Sequence, residues 1–239
     1  LQAGILANGL VMDRHEGTPQ GGPLSPLLAN VLLDEVDREL ARRGHCFVRY
    51  ADDCNVYVRS RTSGARVLAA LRTLYGRLKL KINEAKSAVA QATQRKFLGF
   101  SFYRHRGQIK RRVAAKALDT FKVRIRQITR RSGGKSIEQV VDTLRAYLPG
   151  WKNYFQLAET PSTFRGLDEW LRHRLRVLHL KHWKRGKTAF KALIALGASV
   201  SDATKVAQNM RCWWLNGMRR LNRALPISYF DRLGVPKLS

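Results

Sequence analysis

The sequence predicts an α+β fold, and three observations lead to that class. Residues 45–59 are rich in β-branched and aromatic side chains and are interrupted by Asp52 and Asp53, a pattern typical of two short strands joined by a turn. Apolar residues recur at helical spacing on both sides of this hairpin, over residues 27–40 and 67–78. The rest of the chain is basic and mostly helical in pattern.

Charge is distributed unevenly along the chain, whose formal net charge is +28. Residues 1–100 carry 15 Lys and Arg against 9 Asp and Glu, a net charge of +6, whereas residues 101–239 carry 30 against 8, a net charge of +22. A folded polycation of this kind needs a polyanion, and nucleic-acid phosphates are the expected one. Apolar runs stay short of roughly 20 residues, so no membrane partner is predicted. Three cysteines without paired spacing indicate a reducing, bacterial-type cytoplasmic location.

Asp52 and Asp53 are adjacent carboxylates at the point where the hairpin reverses. Two such charges repel one another unless a cation is bound beside them. Mg²⁺ fits this position, because proteins bind it through one or two carboxylates together with substrate phosphates. Such a site would serve two-metal phosphoryl transfer. The alternative is that both aspartates are ordinary turn residues.

A Gly- and Pro-rich loop over residues 17–23 precedes the first predicted helix. Ser25 is the expected N-cap, Pro26 the first helical residue, and Gly44 follows the end of the helix. Glycines in front of a helix let backbone N–H groups approach a triphosphate or a base pair. An ordinary loop with a capped helix explains the same residues.

Periodicity and capping patterns predict the remaining elements. A turn over residues 61–64 precedes the second helix, residues 80–89 have the pattern of a strand, a turn and a strand, and residues 97–102 that of a single strand. Residues 104–112 form a basic connector. The helices expected after it cover residues 114–131, a segment that begins with a capping box of Ser136 and Gln139, two helices across 163–185, then 189–196, and 199–211 with Ser201 as N-cap.

Three histidines, His173, His179 and His182, are expected on the basic face of the helices within residues 163–185. They have no Cys or carboxylate at matching spacing, so no zinc site is predicted.

Three motifs carry a resemblance to a known family. Tyr50-Ala51-Asp52-Asp53 follows Val48-Arg49 and stands after Gly17-Thr18-Pro19-Gln20-Gly21-Gly22-Pro23-Leu24-Ser25-Pro26-Leu27-Leu28-Ala29-Asn30. Further on comes Gly150-Trp151-Lys152-Asn153-Tyr154-Phe155. In order and spacing the chain resembles the reverse transcriptase/maturase encoded by group II introns, over nearly its whole length.

The resemblance implies three domains. Residues 1–103 would be the C-terminal half of a polymerase palm, with antiparallel strands and two packed helices. Residues 104–185 would be a basic, all-helical thumb, or maturase domain X. Residues 186–239 would be a basic helical DNA-binding tail.

The resemblance also implies an RNA-directed DNA polymerase and intron-splicing maturase. Mg²⁺ held by Asp52, with Asp53 adjacent, would promote attack of a primer 3′-hydroxyl on the α-phosphate of a dNTP. Lys86 would protonate the leaving pyrophosphate, although a solvated lysine in a turn is the competing interpretation. The implied nucleotide- and template-binding residues are Gln20, Gly21, Gly22, Ser25, Tyr50 and Ala51.

Two further sets of residues follow from the same resemblance. The hairpin that grips the primer end would comprise Phe97, Leu98, Gly99 and Phe100, which a plain core strand also explains. The RNA-binding residues would be Arg111, Arg112, Lys122, Arg124, Arg126, Arg130, Arg131 and Lys152. The implied partners are group II intron RNA, an RNA template, a DNA primer or target and dNTPs, with a homodimer as a further option.

Other interpretations stay open. The chain could be a non-catalytic RNA-binding maturase that uses only its basic part. A retron or diversity-generating reverse transcriptase is a weaker option, against which residues 150–155 argue. The family's further palm aspartate lies upstream of the Gly-Thr-Pro-Gln loop, where this sequence offers only Asp13 and Glu16, and the chain begins with Leu1. The sequence is therefore expected to be N-terminally incomplete or a truncated natural product.

Overall fold

The computed structural model describes residues 5–7, 10–12, 23–212, 216–217 and 221–239. The chain divides into two compact units, residues 1–91 (unit 1) and residues 92–239 (unit 2). Helices and short antiparallel sheets occur together, in agreement with the predicted α+β class. No helix in the described part of the chain has both the length and the apolar character needed to cross a membrane.

Unit 1 is built from antiparallel hairpins and helices. Its described elements are β1 (Ile5–Ala7), β2 (Leu10–Met12), α1 (Ser25–Arg42), β3 (Cys46–Tyr50), β4 (Asp53–Tyr57) and α2 (Arg61–Arg77). β1 pairs with β2 and β3 pairs with β4, both in antiparallel register. The hairpin predicted within residues 45–59 is therefore confirmed.

The core of unit 1 forms where α1 and α2 cover one face of the β3–β4 hairpin. Leu33, Val36 and Leu40 of α1 are buried there. The side chains packed against them are Phe47, Cys54, Val56, Leu71, Tyr75, Leu78 and Leu80. Along β3 exposed residues alternate with part-buried ones, so Phe47 and Arg49 share the covered face.

The first helix differs from its prediction in two respects. Leu24 occupies the N-cap position without a side-chain cap bond, and Ser25 is the first helical residue with Pro26 behind it, so Ser25 is not the cap. The apolar face predicted over residues 27–40 is buried only in part, because Val36 and Leu40 are buried as expected whereas Leu27 and Val31 are 59% and 66% exposed. Gly44 follows the helix at a φ of 70°, as expected of a terminating glycine.

Two other predictions for unit 1 are wrong. α2 begins at Arg61, because Ser60 Oγ accepts the backbone N–H of Ser63 at 3.1 Å and caps the helix. Residues 61–64 are thus the first turn of α2 and do not form a separate turn before the helix. Residues 80–89 contain the expected turn at 84–86, but this segment pairs with no strand among the described residues.

Unit 2 opens with a three-stranded antiparallel sheet in the order β5 (Lys96–Phe97), β6 (Phe100–His105) and β7 (Gln108–Val113). The single strand predicted for residues 97–102 is wrong, because Leu98 and Gly99 form a two-residue turn with φ values of 49° and 77°. The basic connector predicted for residues 104–112 is wrong as well, since most of it belongs to β6 and β7. The chain after residue 103 is therefore not all-helical.

Helices make up the rest of unit 2. Those in its described part are α3 (Ala115–Ile128), α4 (Ile137–Phe155), α5 (Pro161–Trp183), α6 (Gly186–Ala195), α7 (Val200–Gln208), α8 (Leu221–Ala224) and α9 (Ile227–Arg232). The capping box at α4 is confirmed, since Ser136 Oγ accepts the Gln139 N–H and Gln139 Oε1 accepts the Ser136 N–H. Residues 163–185 form one helix rather than two, because no helix-breaking sequence interrupts α5.

The last predicted helices begin at different residues. α6 starts at Gly186, where an added Cβ would lie 2.6 Å from the carbonyl oxygen of Ala207 in α7. This close approach of two helices requires glycine. α7 is capped by Ser199, whose Oγ accepts the Asp202 N–H at 3.1 Å, and not by Ser201.

α5 is the most deeply buried helix of unit 2 among those described. Between Leu171 and Leu180 every residue except Arg174 is buried. His173 and His179 therefore do not lie on an exposed basic face, whereas His182 is exposed. His179 packs against Trp183, Tyr229 and Phe230, and burial lowers its pKa to about 4.

We expect the buried His179 to make the fold less stable as the pH falls from about 6.5 to about 4. In this range the unfolded chain binds a proton at the imidazole while the folded chain does not, so protonation favours unfolding. The pKa difference corresponds to a loss of about 3 kcal/mol in the free energy of unfolding. Urea unfolding of the wild type and of His179→Gln at pH 7 and pH 4.5 measures this loss in the free energy of unfolding.

His182→Gln is the matched control, because His182 is exposed on the same helix. The control should keep the wild-type pH dependence, and His179→Gln should flatten it. An unchanged pH dependence in His179→Gln contradicts the prediction.

Candidate metal and nucleic-acid site

The β3–β4 hairpin places the two predicted catalytic aspartates at its turn. Tyr50 pairs with Asp53, and Ala51 and Asp52 form the turn between them. Ala51 has a φ of 52°, in the left-handed region that non-glycine residues rarely adopt. Asp52 and Asp53 are both exposed. The backbone thus presents two consecutive carboxylates to solvent at the end of a short hairpin.

The donor set fits Mg²⁺ in part. The carboxylates of Asp52 and Asp53 form no hydrogen bond or ion pair with any residue that the structure describes, so their oxygens are available to a hard cation. Among the same residues no group of three His, Cys, Asp or Glu side chains is arranged for a metal ion. The site therefore supplies two carboxylates and leaves further ligands to a substrate or to other groups.

Beneath the turn, Arg49 joins the hairpin to α1. Its Nη2 donates to Asp37 Oδ2 at 2.6 Å and its Nε to both Asp37 oxygens at 2.9 Å. Its Nη1 donates to Asn30 Oδ1 and to the backbone carbonyl of Ala51, each at 2.9 Å. The Arg49 side chain is 11% exposed. Arg49 and Asn30 belong to the sequence motifs described above, but no role was predicted for either. Asp37 was not singled out from the sequence.

Other ionisable groups close to Arg49 stay uncharged. Burial raises the pKa of the Tyr75 hydroxyl, and the negative charges of Asp37 and Asp52 raise it further. Burial also raises the pKa of the Cys54 thiol. The Arg49–Asp37 ion pair thus lies close to two neutral side chains, those of Tyr75 and Cys54.

The predicted nucleotide-binding residues are only partly described. Gln20, Gly21 and Gly22 lie outside the described residues. Ser25 is the first residue of α1, and Tyr50 is the last residue of β3 with 64% of its surface exposed. Lys86 closes the turn over residues 84–86, where its backbone N–H donates to the Asn83 carbonyl at 3.1 Å and to Asn83 Oδ1 at 3.2 Å.

The four residues of the predicted primer-gripping hairpin lie in unit 2. Phe97 pairs with Phe100, and Leu98 and Gly99 make the turn. The end of α4 fastens this turn, because Tyr154 Oη donates to the Leu98 carbonyl at 3.0 Å and the Phe100 ring lies 5.2 Å from that of Phe155. The Gly99 carbonyl accepts the Ala114 N–H at 2.8 Å. The hairpin is thus a packed part of unit 2.

The predicted RNA-binding residues are exposed, apart from the partly exposed Lys122 and Lys152. Several already have partners. Arg111 bonds to Glu159, Arg112 stacks on Tyr103 at 5.8 Å, and Lys152 Nζ donates to the Lys237 carbonyl at 3.1 Å. Arg124 and Arg130 bond to the neutral side chains of Gln127 and Ser132. These two guanidinium groups therefore have no carboxylate neutralising them among the described residues.

The sequence did not predict that two arginine side chains lie against Trp170. The guanidinium carbons of Arg126 and Arg174 lie 5.6 Å and 5.5 Å from the Trp170 ring centre. Arg174 is part-buried and donates to Thr129 Oγ1 at 2.7 Å. Burial lowers the pKa of Arg174, and the charges of Arg126 and Arg131 lower it further. The spacing of Trp170 and Arg174, four residues apart in a helix, was the available signal.

Comparison with known proteins agrees with the order of these features. Residues 11–102 match the family model described as reverse transcriptase (RNA-dependent DNA polymerase). This segment contains the hairpin with Asp52 and Asp53, so the chain is similar to reverse transcriptases over the part in which that hairpin lies. Residues 118–195 match the maturase-specific domain of group II introns. Together the two matches confirm the resemblance to the reverse transcriptase/maturase proteins that group II introns encode.

Similar curated proteins come from two bacteria. The protein YkfC of Escherichia coli K12 is 28% identical over a match that covers 44% of this chain and 36% of YkfC. The group II intron-encoded protein LtrA of Lactococcus lactis subsp. cremoris is 55% identical over 38 residues, which are 16% of this chain and 6% of LtrA. The matched region is thus about a third of the length of the first relative and a small part of the second.

We expect Gly99→Ala to destabilise the fold more than Gly107→Ala. Both glycines have a positive φ, 77° and 78°, so alanine at either position is disfavoured by about 1 kcal/mol or more. At Gly99 the added Cβ would also lie 3.2 Å from the Phe155 ring, whereas at Gly107 it meets no atom within 4 Å. Urea unfolding of both variants compares the losses, and equal losses would show that Phe155 does not restrict the turn.

Proposed function

We propose that this chain contributes the metal-binding hairpin, the thumb and the nucleic-acid-binding part of an RNA-directed DNA polymerase and splicing maturase of a group II intron. One observation carries the proposal: two exposed carboxylates, which bond to no side chain that the structure describes, lie at the turn of a hairpin within the segment that matches reverse transcriptases. The maturase-specific match that follows it supports the second activity.

The proposed domains are those expected from the sequence. Residues 1–103 would belong to the polymerase palm, residues 104–185 to the thumb or domain X, and residues 186–239 to a DNA-binding tail. The maturase-specific match, residues 118–195, overlaps the second of these. The net charge of +22 after residue 100 supports contact with nucleic acid over the second and third.

In the proposed polymerase, Asp52 and Asp53 hold Mg²⁺ through their carboxylate oxygens. When bound, Mg²⁺ supplies activation of the primer 3′-hydroxyl and charge stabilisation of the phosphates. The covered face of the hairpin fixes the backbone from which both side chains extend. Lys86 donates a proton to the leaving pyrophosphate, as a cation beside a departing phosphate can.

Two further sets of contacts are proposed, one in each unit. The residues proposed to contact the incoming nucleotide or the template are Gln20, Gly21, Gly22, Ser25, Tyr50 and Ala51. Phe97, Leu98, Gly99 and Phe100 hold the end of the primer. The proposed partners are group II intron RNA, an RNA template, a DNA primer or target and dNTPs, and association of two copies stays a prediction.

We expect Asp52→Asn to weaken the binding of a divalent cation at the hairpin. Removing one of two carboxylates takes away a charged ligand, so the affinity should fall about tenfold or more. Mn²⁺, which reports on Mg²⁺ sites, can be titrated into the chain while the signal of free Mn²⁺ is followed by electron paramagnetic resonance. Primer extension on an RNA template with dNTPs and Mg²⁺ tests the polymerase step in parallel.

Glu35→Gln is the matched control, because Glu35 is an exposed carboxylate on α1 in the same unit. It should bind Mn²⁺ as wild type does. If Asp52→Asn and Glu35→Gln bind Mn²⁺ equally well, the hairpin is not the metal site.

A non-catalytic RNA-binding maturase is the second candidate. It is favoured by the charge of unit 2 and by Arg124 on α3 and Arg130 just after it, which no carboxylate neutralises in the described part of the chain. We expect the double variant Arg124→Gln/Arg130→Gln to bind a group II intron transcript more weakly. The slope of log affinity against log salt should decrease by about 1 to 2, since each phosphate contact contributes roughly one unit. Filter binding between 50 and 300 mM salt would measure it.

The control double variant is Arg38→Gln/Arg42→Gln, which removes the same charge from arginines that pair with Asp34 and Glu39. Its salt slope should stay at the wild-type value. Equal slopes for both double variants would mean that only total charge matters. Intact RNA binding without Mn²⁺ binding or extension would favour the non-catalytic candidate over the polymerase.

A further inference from the structure

We propose that Arg49 is the positioning residue of the metal site, holding the hairpin turn so that Asp52 and Asp53 are fixed relative to α1. The inference rests on the proposed function, because it assigns a role toward the cation that the two carboxylates would bind. Its basis is the set of bonds that one guanidinium group makes to the turn and to the helix.

The bond to Ala51 acts on the backbone of the turn itself. Ala51 is the residue before Asp52, and its φ of 52° is a conformation that costs an alanine free energy. Arg49 Nη1 donates to the carbonyl of this residue at 2.9 Å. The hydrogen bond from Arg49 therefore stabilises the peptide that joins Ala51 to Asp52 in an orientation that the local sequence alone does not favour.

The other bonds anchor Arg49 to α1. Asp37 and Asn30 lie seven residues apart, two helical turns, on the side of α1 that faces Arg49. Asp37 accepts from Nε and Nη2, and Asn30 accepts from the same Nη1 that bonds to Ala51. Asn30 is also the last residue of the motif that begins at Gly17, so this bond gives it a function.

Arginine is required for this set of bonds. Its planar guanidinium group donates in several fixed directions at once, to a carboxylate on one edge and to two oxygens on another. A lysine at position 49 could pair with Asp37 but could not reach Asn30 and the Ala51 carbonyl together. The ion pair with Asp37 would then remain, whereas the hydrogen bond that holds the turn at Ala51 would be lost.

Release of the turn should weaken cation binding. Two carboxylates held in place need no ordering when the cation binds, whereas mobile ones must be immobilised at that moment. The immobilisation of one or two side chains corresponds to a loss of about threefold to tenfold in affinity. A role in stability alone would lower the melting temperature without changing the affinity of the folded protein.

The test uses the full 239-residue chain with Arg49→Lys and Asn30→Ala. Asn30 is exposed and its removal leaves the Arg49–Asp37 pair in place, so this variant folds even if Arg49→Lys does not. Mn²⁺ affinity is measured by electron paramagnetic resonance well below the melting temperature, and ¹⁵N relaxation reports the order of residues 51–53 on the picosecond to nanosecond timescale.

Arg42→Lys is the control, because Arg42 makes a comparable two-bond pair with Glu39 on the same helix, with both distances 2.7 Å. We expect Arg49→Lys to lose affinity about threefold to tenfold with lower order at residues 51–53, Asn30→Ala to lose less, and Arg42→Lys to lose none. Wild-type affinity and order in both Arg49→Lys and Asn30→Ala overturn the inference and leave the proposed function standing.

The proposed function can fail separately. If wild type and Asp52→Asn bind Mn²⁺ equally, the metal site is not at the hairpin, and the claim that Arg49 serves a cation falls with it. The order of residues 51–53 then decides what remains: lower order in Arg49→Lys keeps Arg49 as the residue that positions the turn, and unchanged order rejects this role too.

Discussion

The ion pair between Arg49 and Asp37 is the interaction on which the candidate site depends. A five-residue strand has only two or three side chains on its covered face, and one of those on β3 is a charged arginine. Burying a guanidinium group is unfavourable unless a carboxylate compensates it. Asp37 supplies that carboxylate from α1, so the same contact that makes the arginine tolerable also ties the hairpin to the helix. The exposed face of the hairpin is then left for Tyr50 and Asp53.

In unit 2 the buried charges lie on a helix, because α5 is rich in basic residues. α5 is enclosed by apolar side chains of the surrounding helices, yet it contains Arg172 and Arg176, each 6% exposed. Arg176 donates to the Leu225 carbonyl and lies over the Phe230 ring. For Arg176 an aromatic face and a carbonyl oxygen thus take the place of a carboxylate. The acidic side chain buried on this helix, Asp168, instead accepts the backbone N–H groups of Leu238 and Ser239.

The sequence was most informative where structure is decided locally. The Asp52–Asp53 hairpin and the capping box of Ser136 and Gln139 need only neighbouring residues, and both were predictable. The buried side of α1 was predictable only in part: Val36 and Leu40 are buried as expected, but Leu27 and Val31 have the same helical spacing and are exposed, since only the position of the hairpin decides which apolar residues are covered. The contacts of Arg49 span 12 and 19 residues, and the burial of His179 depends on residues 50 positions away. Such pairings are not encoded in any local pattern.

The buried arginines of α5 have a thermodynamic consequence. Burial and the neighbouring charge of Arg172 lower the pKa of Arg176 to about 10, and neither residue forms an ion pair with any part of the chain that the structure describes. Positive charge therefore opposes the folding of unit 2 from within. A polyanion that binds only the folded unit would make the free energy of folding more favourable. Binding of the polyanion and folding of unit 2 are therefore thermodynamically linked. For a protein of this composition, nucleic acid would supply the negative charge that Arg172 and Arg176 do not find among the described residues.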